Sequence, residues 1–82
     1  MSRCLFAKAG EIALLIETNS DGVFLYSFRP DGFIGDTWHP TVEEAKAQAA
    51  YDAKVIVGPW RSVPSEFKDE LVARIRQSKN SN

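Results

Sequence analysis

Asp36 and His39 stand three residues apart in the stretch Gly35-Asp36-Thr37-Trp38-His39-Pro40-Thr41-Val42-Glu43-Glu44-Ala45. A carboxylate beside an imidazole could orient it as a general base. His39 is the only histidine of the chain. No serine, cysteine or oxyanion-hole signature accompanies the pair, so catalysis is not expected. The preferred reading is that both are turn residues that satisfy nearby backbone amides or stand in water.

Metal chemistry has still less support. Cys4 is the single cysteine and has no C-x-x-C partner. Asp31, Asp36, Glu43 and Glu44 do not have the spacing of a calcium loop. The glycines form no phosphate-binding loop. Neither a metal nor any other cofactor is expected.

Trp38 and Trp60 each close an expected strand and are followed by a polar exit. As core lids, with the indole N–H tied to a carbonyl, they would be structural, and this is the expectation for both. Exposed, either would be an anchor for a partner. Arg61 follows Trp60 and is a candidate anion or partner contact. Asp36, Trp38, His39, Trp60 and Arg61 are therefore the candidate binding residues.

The aromatic row Phe24, Tyr26 and Phe28 has the spacing of a nucleic-acid stacking platform. Only Arg29 adjoins it, so burial under helices is the expectation. Arg61, Arg74, Arg76 and Lys79 could touch nucleic acid. Cations at a helix C-terminus suit the dipole without any partner.

These residues need a scaffold, and 82 residues provide a single small α+β domain. Net charge is −1, from −3 over residues 1–60 and +2 over 61–82. So weak a field makes nucleic acid an improbable partner. A domain of this size has a net stability of roughly 3–8 kcal/mol, which dimerisation would supplement. One cysteine excludes an internal disulfide. No apolar run reaches the roughly 18 residues of a membrane span. The first residues lack the apolar core of a signal peptide, so a cytoplasmic location is expected.

Residues 3–8 read as a strand. Glu11–Thr18 carries the apolar run Ile12–Ile16, of strand length. Asn19-Ser20-Asp21-Gly22 is a turn, and Val23–Phe28 is a β-rich strand that completes a hairpin. Arg29-Pro30-Asp31-Gly32 is a second turn, and Phe33–Trp38 a third strand of the meander. Thr41-Val42-Glu43-Glu44 is a capping box opening a helix to about Ala53. Val42, Ala45, Ala49 and Ala53 share its apolar face.

Val55–Val57 reads as a short strand cut off by Gly58-Pro59. Pro64 or Ser65 opens a last helix with Phe67, Leu71 and Ile75 as its stripe and Val72 beside them. Residues 78–82 are expected to fray. The expected fold is α+β, an antiparallel sheet of three or four strands with two helices on one face, in the order β(β)ββ-α-β-α.

The segments Gly35–His39, Glu43–Ala49 and Trp60–Pro64 resemble a group of small bacterial proteins of uncharacterised role. Those carry Gly-Asp-Thr-Trp-His, EEAK-x-QA and Trp-x-x-Val-Pro. That resemblance implies a compact α+β domain and no particular activity. The strand–turn–strand order followed by Gly35-Asp36-Thr37 and Glu43-Glu44-Ala45 is also similar to HicB-type antitoxins. The HicB similarity implies a partial RNase H-like domain that binds and blocks a small protein toxin. This chain has Arg29-Pro30-Asp31-Gly32-Phe33 where that family has a Pro-Asp-Leu-Pro-Gly-like segment. It also carries Trp38-His39-Pro40 as an insertion.

The function expected from the sequence is a non-enzymatic protein-binding or regulatory module. It would use the Trp38/His39 junction or an edge strand at Val55–Val57 to hold a protein partner or a second copy. The alternatives are a ligand-binding protein or enzyme using Asp36 and His39 near Arg61, and a weak nucleic-acid binder using the basic last helix.

Overall fold

The computed structural model describes residues 3–32, 34–54 and 56–80, with side chains as far as residue 74. The elements are β1 (Arg3–Ala9), β2 (Ile12–Asn19), β3 (Gly22–Phe28), β4 (Ile34–His39), α1 (Val42–Ala53), β5 (Arg61–Pro64) and α2 (Glu66–Asn80). The sheet is antiparallel throughout, with the order β4-β3-β2-β1-β5. The fold is α+β, as expected, with five strands rather than three or four.

The turns lie where the sequence put them, for the expected reasons. Asn19 Oδ1 accepts from the Asp21 N–H at 2.8 Å, and Gly22 takes a φ of +137°. Gly32, at φ +94°, donates its N–H to Arg29 O at 3.0 Å. Thr41 caps α1: its Oγ1 accepts from Glu44 N at 3.2 Å and donates to Glu44 Oε2 at 3.4 Å. Lys54 ends the helix in the left-handed region at φ 59°.

At the strand expected over Val55–Val57, the described residues Ile56 and Val57 are not in a strand. Val55 lies outside the described residues; 56–60 are irregular, and Ile56 is 92% exposed. After α1 the chain must cross to the far side of β1. Gly58 N–H donates to Lys8 O at 2.7 Å on the way. Pairing starts only beyond Pro59, where Arg61–Pro64 lies against Arg3–Phe6. Phe33 of the expected third strand and the side chain of Ile75 also lie outside the described residues. Helix α2 continues through residues 78–80, part of the stretch expected to fray.

The expectation that both helices cover one face is also corrected. Alternate residues of a strand face opposite sides, and the central strands are apolar on both. Ala9, Leu14, Ile16, Val23 and Leu25 pack with Ala45 and Ala49 of α1. Cys4, Phe6, Ala13, Leu15, Phe28 and Val63 form the other layer, against which Phe67, Leu71 and Val72 of α2 pack. Leu15 and Ile16, neighbours in sequence, are each almost fully buried on opposite faces. Each contributes on the order of 1.5–3 kcal/mol of transfer free energy. One helix would leave half of this surface in water.

The alanine face sets how closely α1 approaches the sheet, since Ala45 and Ala49 have no exposed surface. Ala49→Leu is expected to cost about 1–3 kcal/mol by overpacking. Ala50→Leu, on the exposed side of the same helix, should stay within about 0.5 kcal/mol of the parent. Urea unfolding of the two variants measures the difference as a change in midpoint at constant m-value.

Candidate functional site

The five candidate residues do not converge. Asp36, Trp38 and His39 lie on β4, and Arg61 lies on β5, at the two opposite edges of the sheet with Trp60 just before it. Four inter-strand steps separate those edges, roughly 19 Å. Trp60 packs half-buried against the α1-side core, as a core lid would. Arg61 places its guanidinium 5.3 Å from the centre of the Phe6 ring, a cation–π contact on the α2 face.

Asp36 and His39 do not meet either. The register sets Asp36 opposite Tyr26 and His39 opposite Val23. Tyr26 belongs to the α2 face and Val23 to the α1 face. An odd spacing along a strand puts the two side chains on opposite sides of the sheet. His39 Nε2 instead shares a 2.8 Å hydrogen bond with Thr37 Oγ1, two residues away on its own face. The carboxylate–imidazole pair needed for general-base chemistry is absent between these two residues. Arg61 is too distant to join them.

What β4 does carry is an apolar pair on one face. Ile34, Asp36 and Trp38 alternate along it, opposite Phe28, Tyr26 and Phe24 of β3. Ile34 is 36% exposed and Trp38 56% exposed. The expectation that Trp38 is a core lid is therefore corrected, although half of its reasoning holds. Its Nε1–H donates to Asp21 O at 3.0 Å. That bond lays the ring over the β2–β3 turn. A Cβ at Gly22 would collide with the indole nitrogen. Gly22 thus serves two ends, the positive φ of the turn and a seat for the ring. The indole is fixed at its polar end while much of its apolar surface faces solvent.

A second polar cluster, not anticipated from the sequence, joins α2 to the sheet. Lys68 Nζ sits 3.2 Å from Glu17 Oε1, 3.1 Å from Tyr26 Oη and 4.2 Å from the Tyr26 ring centre. Tyr26 Oη donates to the same Glu17 oxygen at 3.3 Å. Burial alone would lower the pKa of Lys68, but the hydrogen bonds to Tyr26 and Glu17 outweigh it and the net shift is upward. Cys4 stands opposite Glu17 in the register. Its thiol is pushed up by burial first and by the Glu17 carboxylate second, against a smaller opposing pull from Lys68. A protonated, buried thiol is a poor nucleophile. The cluster is a clamp for α2. Glu17 ends the buried run of β2, and Lys68 sits one turn before Leu71 on α2, but only tertiary packing joins them.

No protein-family model, curated protein or solved structure matches the chain. Among the described residues no helix is long and apolar enough to cross a membrane.

Gly22→Ala should force the Trp38 ring off its seat. In a Trp60→Phe background the remaining indole fluorescence should shift to the red, with a stability loss of about 1–3 kcal/mol. Emission unchanged from the Trp60→Phe parent would contradict the seat. Cys4 and Lys68 also predict the alkaline limb of stability. Above the thiol's ordinary value of 9.0 the unfolded chain loses a proton that the native state keeps. Above 10.5 the same holds for Lys68. Stability therefore falls as pH rises through this range, and Cys4→Ala should flatten the part that begins near 9. Denaturant midpoints across pH 7–11 provide the measurement.

Proposed function

We propose that the protein is a non-enzymatic binding module that takes an extended segment of another protein onto the outer edge of β4. The observation that carries this reading is the contrast between the two edges of the sheet. Edge strands are normally blunted by brevity, proline or charge, because their free N–H and C=O groups invite another strand. The β5 edge has these protections: four residues, Pro64 at its end and Arg61 at its start. Strand β4 is longer, six residues without proline and with Asp36 as its carboxylate, and among the described residues no strand pairs with its outer side. Ile34 and Trp38 flank it with exposed apolar surface. Main-chain hydrogen bonds along such an edge supply affinity and the flanking side chains supply selectivity.

A regulatory role of the antitoxin kind, with a small protein as the partner and the cytoplasm as the compartment, fits this mode of binding. The reading by which Asp36 and His39 perform catalysis has no support from their placement.

The experiment is affinity capture from lysate of the source cells after nuclease treatment, comparing wild type with an Ile34→Lys/Trp38→Lys double variant and with Arg61→Ala. Capture of one stoichiometric partner by wild type and by Arg61→Ala, reduced at least about tenfold in the double variant, is the expected result. Such a drop corresponds to 1.4 kcal/mol or more. Circular dichroism verifies that the double variant is folded. A partner captured equally by all three, or lost only with Arg61→Ala, places binding elsewhere.

A further inference from the structure

We infer that the segment added to β4 is a basic one, with a lysine or arginine flanked at two residues on each side by apolar side chains. This rests on the edge-binding reading above and specifies its partner. Ile34, Asp36 and Trp38 occupy successive positions on one face of β4. Directly opposed side chains across two strands are the unit of sheet recognition. A strand laid beside β4 therefore sets three consecutive same-face residues against Ile34, Asp36 and Trp38. The outer two rest on apolar surface and the middle one meets an exposed carboxylate.

The wider surroundings carry the same sign. Residues 20–45, which hold β3, β4 and the start of α1, contain Asp21, Asp31, Asp36, Glu43 and Glu44 against Arg29 in that stretch, and Lys68, which α2 brings over Tyr26 opposite Asp36, is paired there with Glu17. Five acids and one cation give −4, where the whole chain is −1 and the rest is consequently +3. A field of one sign around an edge favours a partner of the other sign and speeds its arrival.

The same carboxylate disfavours a second copy of this chain as the occupant. In a two-fold antiparallel pairing of β4 with its own copy, the register that sets each Ile34 against Trp38 also sets Asp36 against Asp36. Moving the register by two residues separates the carboxylates, but one way sets Ile34 against Pro40 and Asp36 against Trp38, and the other way sets Ile34 against Asp36 and Trp38 against Gly32. The matched register opposes like charges and both shifted ones discard the apolar match. Asp36 acts as a guard against self-pairing that a basic partner turns into an attraction.

The test uses fluorescein-labelled peptides of the form Thr-Val-Thr-X-Thr-Val-Thr, X being Lys or Glu, titrated with the full chain at low salt. Wild type should bind the Lys peptide on the order of tenfold more tightly than the Glu peptide, the sum of one attraction gained and one repulsion removed. Asp36→Lys should reverse the order, and added salt should shrink the difference. Equal binding of both peptides, abolished by Ile34→Lys/Trp38→Lys, would overturn the basic partner while leaving edge binding intact. Binding of both peptides unaffected by that double variant, or of neither peptide, would overturn it as well. In that case the capture experiment alone judges the edge. Sedimentation velocity closes the remaining case: a wild-type dimer dispersed by Trp38→Lys would show that the second copy is the occupant.

Discussion

Strand β2 is buried on both sides, and the arrangement of the molecule follows from that. Ala13, Leu14, Leu15 and Ile16 are consecutive buried residues, so apolar side chains leave the strand in both directions. A sheet with two apolar faces requires two covers. Helix α1 supplies one through small residues that let its backbone lie close. Helix α2 supplies the other through larger side chains, with Phe67 meeting Phe6 edge-on at 4.8 Å. The chain must therefore cross from one face to the other between the helices. Residues 56–60 and β5 make that crossing, and β5 comes to rest on the free side of β1.

That crossing decides which edge is left open. By pairing with Arg3–Phe6, β5 covers one side of the sheet with a short strand bounded by a cation and a proline. The opposite side ends at β4, whose residues are mostly exposed. The polar contacts at this edge stabilise the fold and shape the surface together. The bond from Trp38 to Asp21 O holds the indole over the turn and leaves its apolar surface in water. The Glu17–Tyr26–Lys68 cluster pins α2 beside β3. The candidate site is thus a by-product of how the core is closed.

Much of the scaffold was legible because its signals are local. Asn19 to Gly22 and Arg29 to Gly32 specify turns through side-chain acceptors and glycine φ values that neighbouring residues cannot alter. Thr41 specifies a helix start by accepting an orphan amide of the first turn, and the Glu44 carboxylate accepts its hydroxyl. The alanine face of α1 follows from helical spacing alone. The strand at Val55–Val57 was misplaced because composition favours strand there, while strand formation requires a partner within reach. β1 accepts the Gly58 N–H at Lys8 O, and ladder pairing with it begins only beyond Pro59.

The sequence by itself determined the order of most elements, their turns and caps, and the fact that no internal disulfide can form, since each depends on residues within a few positions of one another. Tertiary structure alone decided that the helices lie on opposite faces, that Trp38 stands in solvent while Trp60 does not, and that Arg61 is a whole sheet away from β4. Those outcomes depend on strand order and register. Side-chain direction alternates with each residue of a strand, and strand order is set by which surfaces must be buried together. Neither quantity can be read from the spacing of residues along the chain.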